Sequence, residues 1–282
     1  MRTTIAALYV LFGCASACSD PGETIPEGFV PLVAGDWSMP PGQEGYYCVR
    51  ATIPEDMFVH AFRPIAPLGT HHTALGFALQ NGPDGGFACQ ASDAGFKLLF
   101  GSGVGTEAFE LPEGVAFKLP KGEQVLLNLH LYNTGDADLT GTSGIEIERI
   151  AEADTVHLAE TLYALNFDLS VPPGSSKTTG ECTIDADSTI VGVFPHMHKL
   201  GTHMRATAGA TVIHDLAYTF EEQLDYSVPE VQVAKGDKVG YECSYENPGA
   251  TTIQFGDSTD DEMCVLGVYR YPATGTISLC IQ

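Results

Sequence analysis

Apolar, β-branched runs of four to eight residues recur from Phe29 onward, each ended by Gly, Pro, Asn or Asp, and helical periodicity is nearly absent. Runs at 57–62, 125–132 and 144–150 are examples. The run at 144–150 alternates apolar and polar residues, as a half-exposed strand does, and leaves Glu146 and Glu148 on a polar face where solvation accounts for them. Only 219–224 reads as a helical turn. Many short strands with frequent turn signals predict sandwiches or jelly rolls. A polar break at 151–155 splits the body into segments of similar size. The expectation is an all-β chain of two tandem antiparallel jelly-roll/β-sandwich domains, 29–153 and 154–282, and 282 residues at 44% hydrophobic content suffice for both cores.

A formal charge of -23 with only 13 Lys and Arg argues against nucleic acid or an anionic membrane surface as partner, because phosphate binding needs clustered cations. The acidic residues are scattered, as on a solvated surface. The N-terminus reads as an export signal over 1–18: Arg2 is followed by an apolar stretch, 5–12, too short to span a bilayer. Cys14 and Cys18 are both lipobox-like. Beyond them lie Cys48, Cys89, Cys182, Cys243, Cys264 and Cys280, an even set suited to disulfides. Cleavage before Cys18 leaves that set intact and makes Cys18 the lipidated residue. Residues 19–28, polar and Pro/Gly-rich, read as a tether. The expectation is an exported protein, a periplasmic or outer-membrane lipoprotein or a secreted one, touching a membrane only through that anchor.

The candidate chemistry lies in histidines. His196 and His198 follow the apolar run 189–194, and side chains at i and i+2 of a strand share a face, so both can reach one metal ion. His71 and His72 are adjacent, and adjacent strand residues face opposite ways. They can share an ion only if the strand bends or the rings use different nitrogens. His130 sits mid-strand among apolar residues, where a lone histidine is more often a satisfied core residue. Three histidines together would make an all-nitrogen site. Met263 is core filler by default, or a thioether ligand suited to Cu(I). The acidic triplet Asp260, Asp261 and Glu262 reads as a solvated turn. His203 reads as a surface residue or one near the second metal, and His60, His157 and His214 as structural.

The order His-His, single His, His-x-His, Glu-Met-Cys on an all-β chain resembles the copper type II, ascorbate-dependent monooxygenases, the family of peptidylglycine α-hydroxylating and dopamine β-monooxygenases. The resemblance runs from about Gly45 to Cys280. It also includes Tyr47-Cys48, Phe62-Arg63-Pro64, Leu111-Pro112-Glu113-Gly114-Val115 with Lys118, Val171-Pro172-Pro173-Gly174, and Leu200-Gly201 after the histidine pair. It implies two copper ions per chain, one on His71, His72 and His130, the other on His196, His198 and Met263, the last three carrying catalysis. It implies disulfides Cys48–Cys89, Cys182–Cys280 and Cys243–Cys264. It also implies hydroxylation of a C–H bond of a small molecule by O2, with ascorbate or another one-electron reductant. In the peptide-amidating branch an Arg two residues before the histidine pair clamps the peptide carboxylate, and an Asn and a Tyr after the methionine help. Those positions here are Phe194, Val265 and Gly267, so peptidylglycine is not the expected substrate and a more apolar one is. The alternative is a non-catalytic copper-binding or copper-buffering lipoprotein that uses the same ligands. A metal-free jelly-roll surface protein would need those ligands in order by chance, and a zinc hydrolase lacks a placed carboxylate base.

Overall fold

A computed structural model of the chain describes residues 27–90, 96–275 and 279–281. The signal, Cys14, Cys18 and most of the tether lie outside the described residues. Among those described there is no α-helix, and the expected all-β class holds. The one helical element is a 3-10 turn, Glu152–Asp154, at the polar break.

Two sheets form the first half. In one, strands Val30–Met39, Leu139–Ile150, Met57–Ile65, Val115–Leu119 and His157–Leu158 are neighbours in that order, with Phe109–Glu110 also against Met57–Ile65. In the other the order is Gly85–Cys89, Glu44–Thr52, Gln124–Tyr132, Thr70–Ala78 and Phe96–Gly103. Ile145, Ile147 and Phe62 of the first meet Leu75, Leu127 and Leu129 of the second in one buried cluster. The alternation at 144–150 is realised as expected. Ile145 and Ile147 face inward, and Glu146 points out to pair with Arg63 at 2.7 Å.

The second half holds a sheet ordered Tyr226–Val233, Ser188–Met197, Cys264–Tyr271, Glu160–Leu165 and Leu279–Ile281. It packs with a four-stranded sheet, Gly174–Thr183, Lys238–Asn247, Gly201–Ala208 and Thr211–Ala217. The strand Ser188–Met197 serves two cores. Val193 and Met197 pack into the second half's own cluster, while Val191 and Phe194 pack into the first half's. Its neighbour does the same, with Leu266 and Val268 on one side and Tyr269 on the other. A sheet covered on both faces carries continuous apolar runs, which is why 189–194 shows no alternation.

The segment 219–224 is not a helical turn. Glu222 N–H donates to Thr219 O at 3.3 Å and the two residues form an isolated bridge. Phe220 and Gln223 are buried, and their contacts with the histidines described below hold the loop in place of a helix. The disulfides Cys48–Cys89, Cys182–Cys280 and Cys243–Cys264 are all present.

Candidate metal centre

The adjacency of His71 and His72 is resolved by a bulge. Thr70 pairs with Leu131 and His72 with His130, so His71 is an extra residue inserted between them. A bulge of this kind turns a side chain that regular pleating would send to the other face. His71 and His72 bring their Nδ1 atoms within 3.2 Å, and His130 Nδ1 lies 3.4 Å from that of His72. Metal–nitrogen bonds of about 2.0–2.1 Å at tetrahedral angles separate two ligand nitrogens by roughly 3.3 Å. Three nitrogens so spaced, all within 4.8 Å of one another, fit a single ion.

The outer atoms of His130 are also arranged. Its Nε2 faces Glu44 Oε2 at 3.5 Å, which leaves the lone pair on Nδ1, and the Tyr46 ring stacks on the imidazole at 4.6 Å. Both residues bind the second half. Thr259 donates its hydroxyl to Glu44 Oε2 at 3.0 Å, and Tyr46 donates its own to the Asp257 carbonyl at 3.0 Å.

His196 and His198 use the opposite nitrogens. His196 Nδ1 donates to Gln223 Oε1 at 2.8 Å, and His198 Nδ1 donates to the Asp261 carbonyl at 3.2 Å. Each Nε2 is left as the lone-pair donor, the form a metal needs. The rings stand edge to face, 5.3 Å between centroids. Met263 borders the same cavity as His196 and His72.

The reading of 260–262 as a solvated turn holds for Asp260, which is exposed and pairs with Lys199 at 3.0 Å. It fails for Glu262, which is fully buried. Its carboxylate accepts N–H bonds from His198 and Met263, each at 3.0 Å, and from Leu200 at 2.7 Å. These bonds keep a charged group inside and tie the His198 loop to the Met263 loop. Desolvation still raises its pKa against them. The Cys243–Cys264 bridge anchors the residue after Met263, and Tyr245 donates to the Met263 carbonyl at 2.8 Å.

The two histidine sets touch. His72 and His196 meet edge to face with centroids 5.5 Å apart. Phe220 lies between the others, 4.1 Å from the His71 ring and 6.2 Å from that of His198. Burial, reinforced by neighbouring histidines, lowers the pKa of His71 and His130 to about 4 and that of His196 to about 3, and takes His72 well below the ordinary value. Burial likewise takes His198 to about 4. All five are therefore neutral at pH 7, as metal-ligating imidazoles are. His203 lies outside the group, 3.1 Å from Asp215 on the four-stranded sheet. His60 Nδ1 contacts the Val115 carbonyl, His157 stacks on Tyr271, and His214 packs against Tyr226.

Sequence reading missed Gln223, Phe220, Glu44 and Glu262. Each is an ordinary residue whose role exists only through a partner far along the chain. The one local signal was Glu262 next to Met263 and Cys264, a charge at the start of an apolar strand.

Residues 155–282 match the family described as copper type II ascorbate-dependent monooxygenase, C-terminal domain. The chain is 26% identical over 247 residues to the human putative DBH-like monooxygenase protein 2, covering 75% of this chain and 49% of that protein. It is 24% identical over 272 residues to rat peptidylglycine alpha-amidating monooxygenase, covering 86% of this chain and 27% of that one. The chain thus spans about half, or less, of the length of these relatives. Among solved structures, the major capsid protein P2 of bacteriophage PM2 overlaps 86% of this chain and 99% of its own at a TM-score of 0.32 and 7% identity, too low to argue from. The matched domain and the relatives over both halves support the copper type II ascorbate-dependent monooxygenase family, the match to the family's own model lying in residues 155–282.

Proposed function

We propose that the chain is a copper-dependent monooxygenase that hydroxylates a C–H bond of a small molecule. One oxygen atom of O2 enters the product and the other leaves as water, with two electrons and two protons drawn from ascorbate or another one-electron donor. The observation that supports this most is the convergence of His71, His72 and His130 Nδ1 at metal-ligand spacing, with His196 and Met263 bordering a cavity beside them.

His71, His72 and His130 would hold one copper, and His196, His198 and Met263 the other. Copper in these sites supplies the one-electron steps that O2 reduction requires. A thioether favours Cu(I), and three imidazoles tolerate both oxidation states. The protein's part is to present neutral imidazoles in fixed tautomers, through Glu44 for His130, Gln223 for His196 and the Asp261 carbonyl for His198. Phe220 against His71 and Phe194 against His196 keep bulk water from those rings.

Phe194, at the position of the peptide-binding Arg in the amidating branch, is buried against the first half's Gly101. No guanidinium stands there to hold a carboxylate, so peptidylglycine is not the proposed substrate. The three disulfides support export to an oxidising compartment. The proposed partners are O2, a reductant and a small molecule, with no nucleic acid.

The test is copper stoichiometry of the reconstituted protein beside Met263→Ala and His130→Ala, followed by reductant-dependent O2 uptake. Two coppers, each variant weakening a different one, and uptake coupled to a hydroxylated product are expected. Two coppers with no coupled uptake across a substrate screen would leave a copper-binding protein and remove the enzyme.

A further inference from the structure

Strand register decides what the second half's central sheet presents to the first. Phe194 pairs with Gly267, and Gly267 with Tyr163. Two residues along, His196 pairs with Val265, and Val265 with Leu165. Residues two apart share a face, so these six stand together. All but Gly267 border a cavity of about 300 Å³, lined on its other side by His72, Ala74 and Leu98 of the first half. An apolar cavity of about 150 Å³ accepts benzene. This one has room for a ring and its substituents.

Tyr163 is the anomaly in this wall. Its hydroxyl is buried and has no hydrogen-bond partner among the described residues. A buried tyrosine ordinarily finds one. Asp225, which lies near, accepts from the Tyr269 hydroxyl at 2.6 Å through Oδ1, while its buried Oδ2, like the Tyr163 hydroxyl, has no partner among the described residues. Gly267 gives Tyr163 its place: a Cβ there would lie 3.2 Å from Phe194 Cβ and 3.3 Å from the Tyr163 ring. Burial raises the Tyr163 pKa well above its ordinary value, so the hydroxyl keeps its proton and can donate it.

Charge is scarce around the cavity. Lys97 is the one Lys, Arg, Asp or Glu among its described lining residues, and it is shared with a neighbouring cavity. A ligand ammonium would meet no carboxylate there, and a ligand carboxylate no bidentate partner.

We propose that this cavity binds a neutral, mainly apolar molecule the size of a substituted benzene ring, oriented by a hydrogen bond from the Tyr163 hydroxyl to a single acceptor oxygen. This rests on reading the cavity as the monooxygenase's substrate site, and it adds the substrate's chemistry. The Tyr163 row and the His196 row are two residues apart along the strands, about 7 Å. The acceptor and the carbon to be oxidised therefore belong at opposite ends of the ring.

Equilibrium dialysis of the full chain, with and without copper, tests this with four probes: 4-ethylacetophenone, ethylbenzene, 4-ethylbenzoate and 2-phenylethylamine. The ketone is expected to bind about tenfold more tightly than ethylbenzene, the margin of one buried hydrogen bond, and tighter still than the two charged probes. Tyr163→Phe should bring the ketone to the level of ethylbenzene and leave ethylbenzene unchanged. Val265→Trp, which fills the cavity, should abolish both. The proposal is overturned if a charged probe matches the ketone, if none of the four binds, if Tyr163→Phe leaves the ketone's affinity intact, or if Val265→Trp does. Ketone binding without reductant-dependent O2 uptake would sink the monooxygenase reading alone, while turnover indifferent to Tyr163 would sink this one alone.

Discussion

Gln223→Met is the most direct probe of how the chain prepares His196. Methionine keeps the length and flexibility of the side chain, so the loop, which Gly103 approaches so closely that an added Cβ would lie 2.3 Å from Gln223 Cβ, is left in place. What is lost is the 2.8 Å bond from His196 Nδ1 to Gln223 Oε1, together with the 3.2 Å bond from Gln223 Nε2 to the Phe220 carbonyl inside the loop. Binding metal through Nε2 then requires a buried Nδ1–H without an acceptor. Such a group costs about 1–3 kcal/mol, which is roughly 5- to 150-fold in affinity. The measured range for outer residues of metal sites, about 10- to 100-fold, falls inside it. Copper affinity measured by competition with a chelator should therefore fall by about that factor at the His196 site alone. The site of His71, His72 and His130 should be unchanged, and thermal stability without metal should drop by only about 1 kcal/mol. Two copper affinities identical to the parent's would refute the argument that Gln223 sets the His196 tautomer.

Other outcomes follow from the same geometry. Glu44→Leu removes the acceptor facing His130 Nε2 and should weaken copper about tenfold at the first site only, with chelator competition again the readout. Glu262→Gln leaves one acceptor oxygen for three N–H donors and should cost about 2 kcal/mol in denaturant unfolding; a variant as stable as the parent would mean that the desolvated charge cancels its own hydrogen bonds. His214 is held to about 4 by burial, against 6.5 unfolded, so the unfolded chain takes up a proton that the native one refuses between those values. Stability should fall as pH drops from about 6.5 to 4, and His214→Phe should make that part of the pH–stability curve shallower by one histidine's share, the five histidines of the candidate centre keeping theirs.

The histidines of the candidate centre stood out in the sequence because metal binding demands unusual residue types, and histidines in apolar strands are conspicuous. Their grouping did not follow from spacing alone. His130 is 58 residues from His72 and reaches it through strand pairing, and His71 joins them through a bulge that no local pattern announces. Residues that hold those histidines in place were nearly illegible. Gln223, 27 residues from His196, sits in a loop whose local pattern suggested a helical turn, because its conformation is held by contacts outside its own segment. Glu262 looked solvated because its neighbours Asp260 and Asp261 are acidic, yet its hydrogen-bond donors come from the His198 loop 62 and 64 residues away as well as from Met263.

By itself the sequence determined the all-β class, since period-two patterning and turn residues act within a few positions. It also singled out the histidines and the methionine that are candidates for copper chemistry, and, through resemblance, how six cysteines pair. Only the tertiary structure decided that the two histidine sets meet, with His72 against His196, and that an apolar cavity with one unpartnered hydroxyl lies beside them. Those outcomes depend on which face of the second half's central sheet turns toward the first half, and that is set by packing between segments more than a hundred residues apart, where no local pattern reaches.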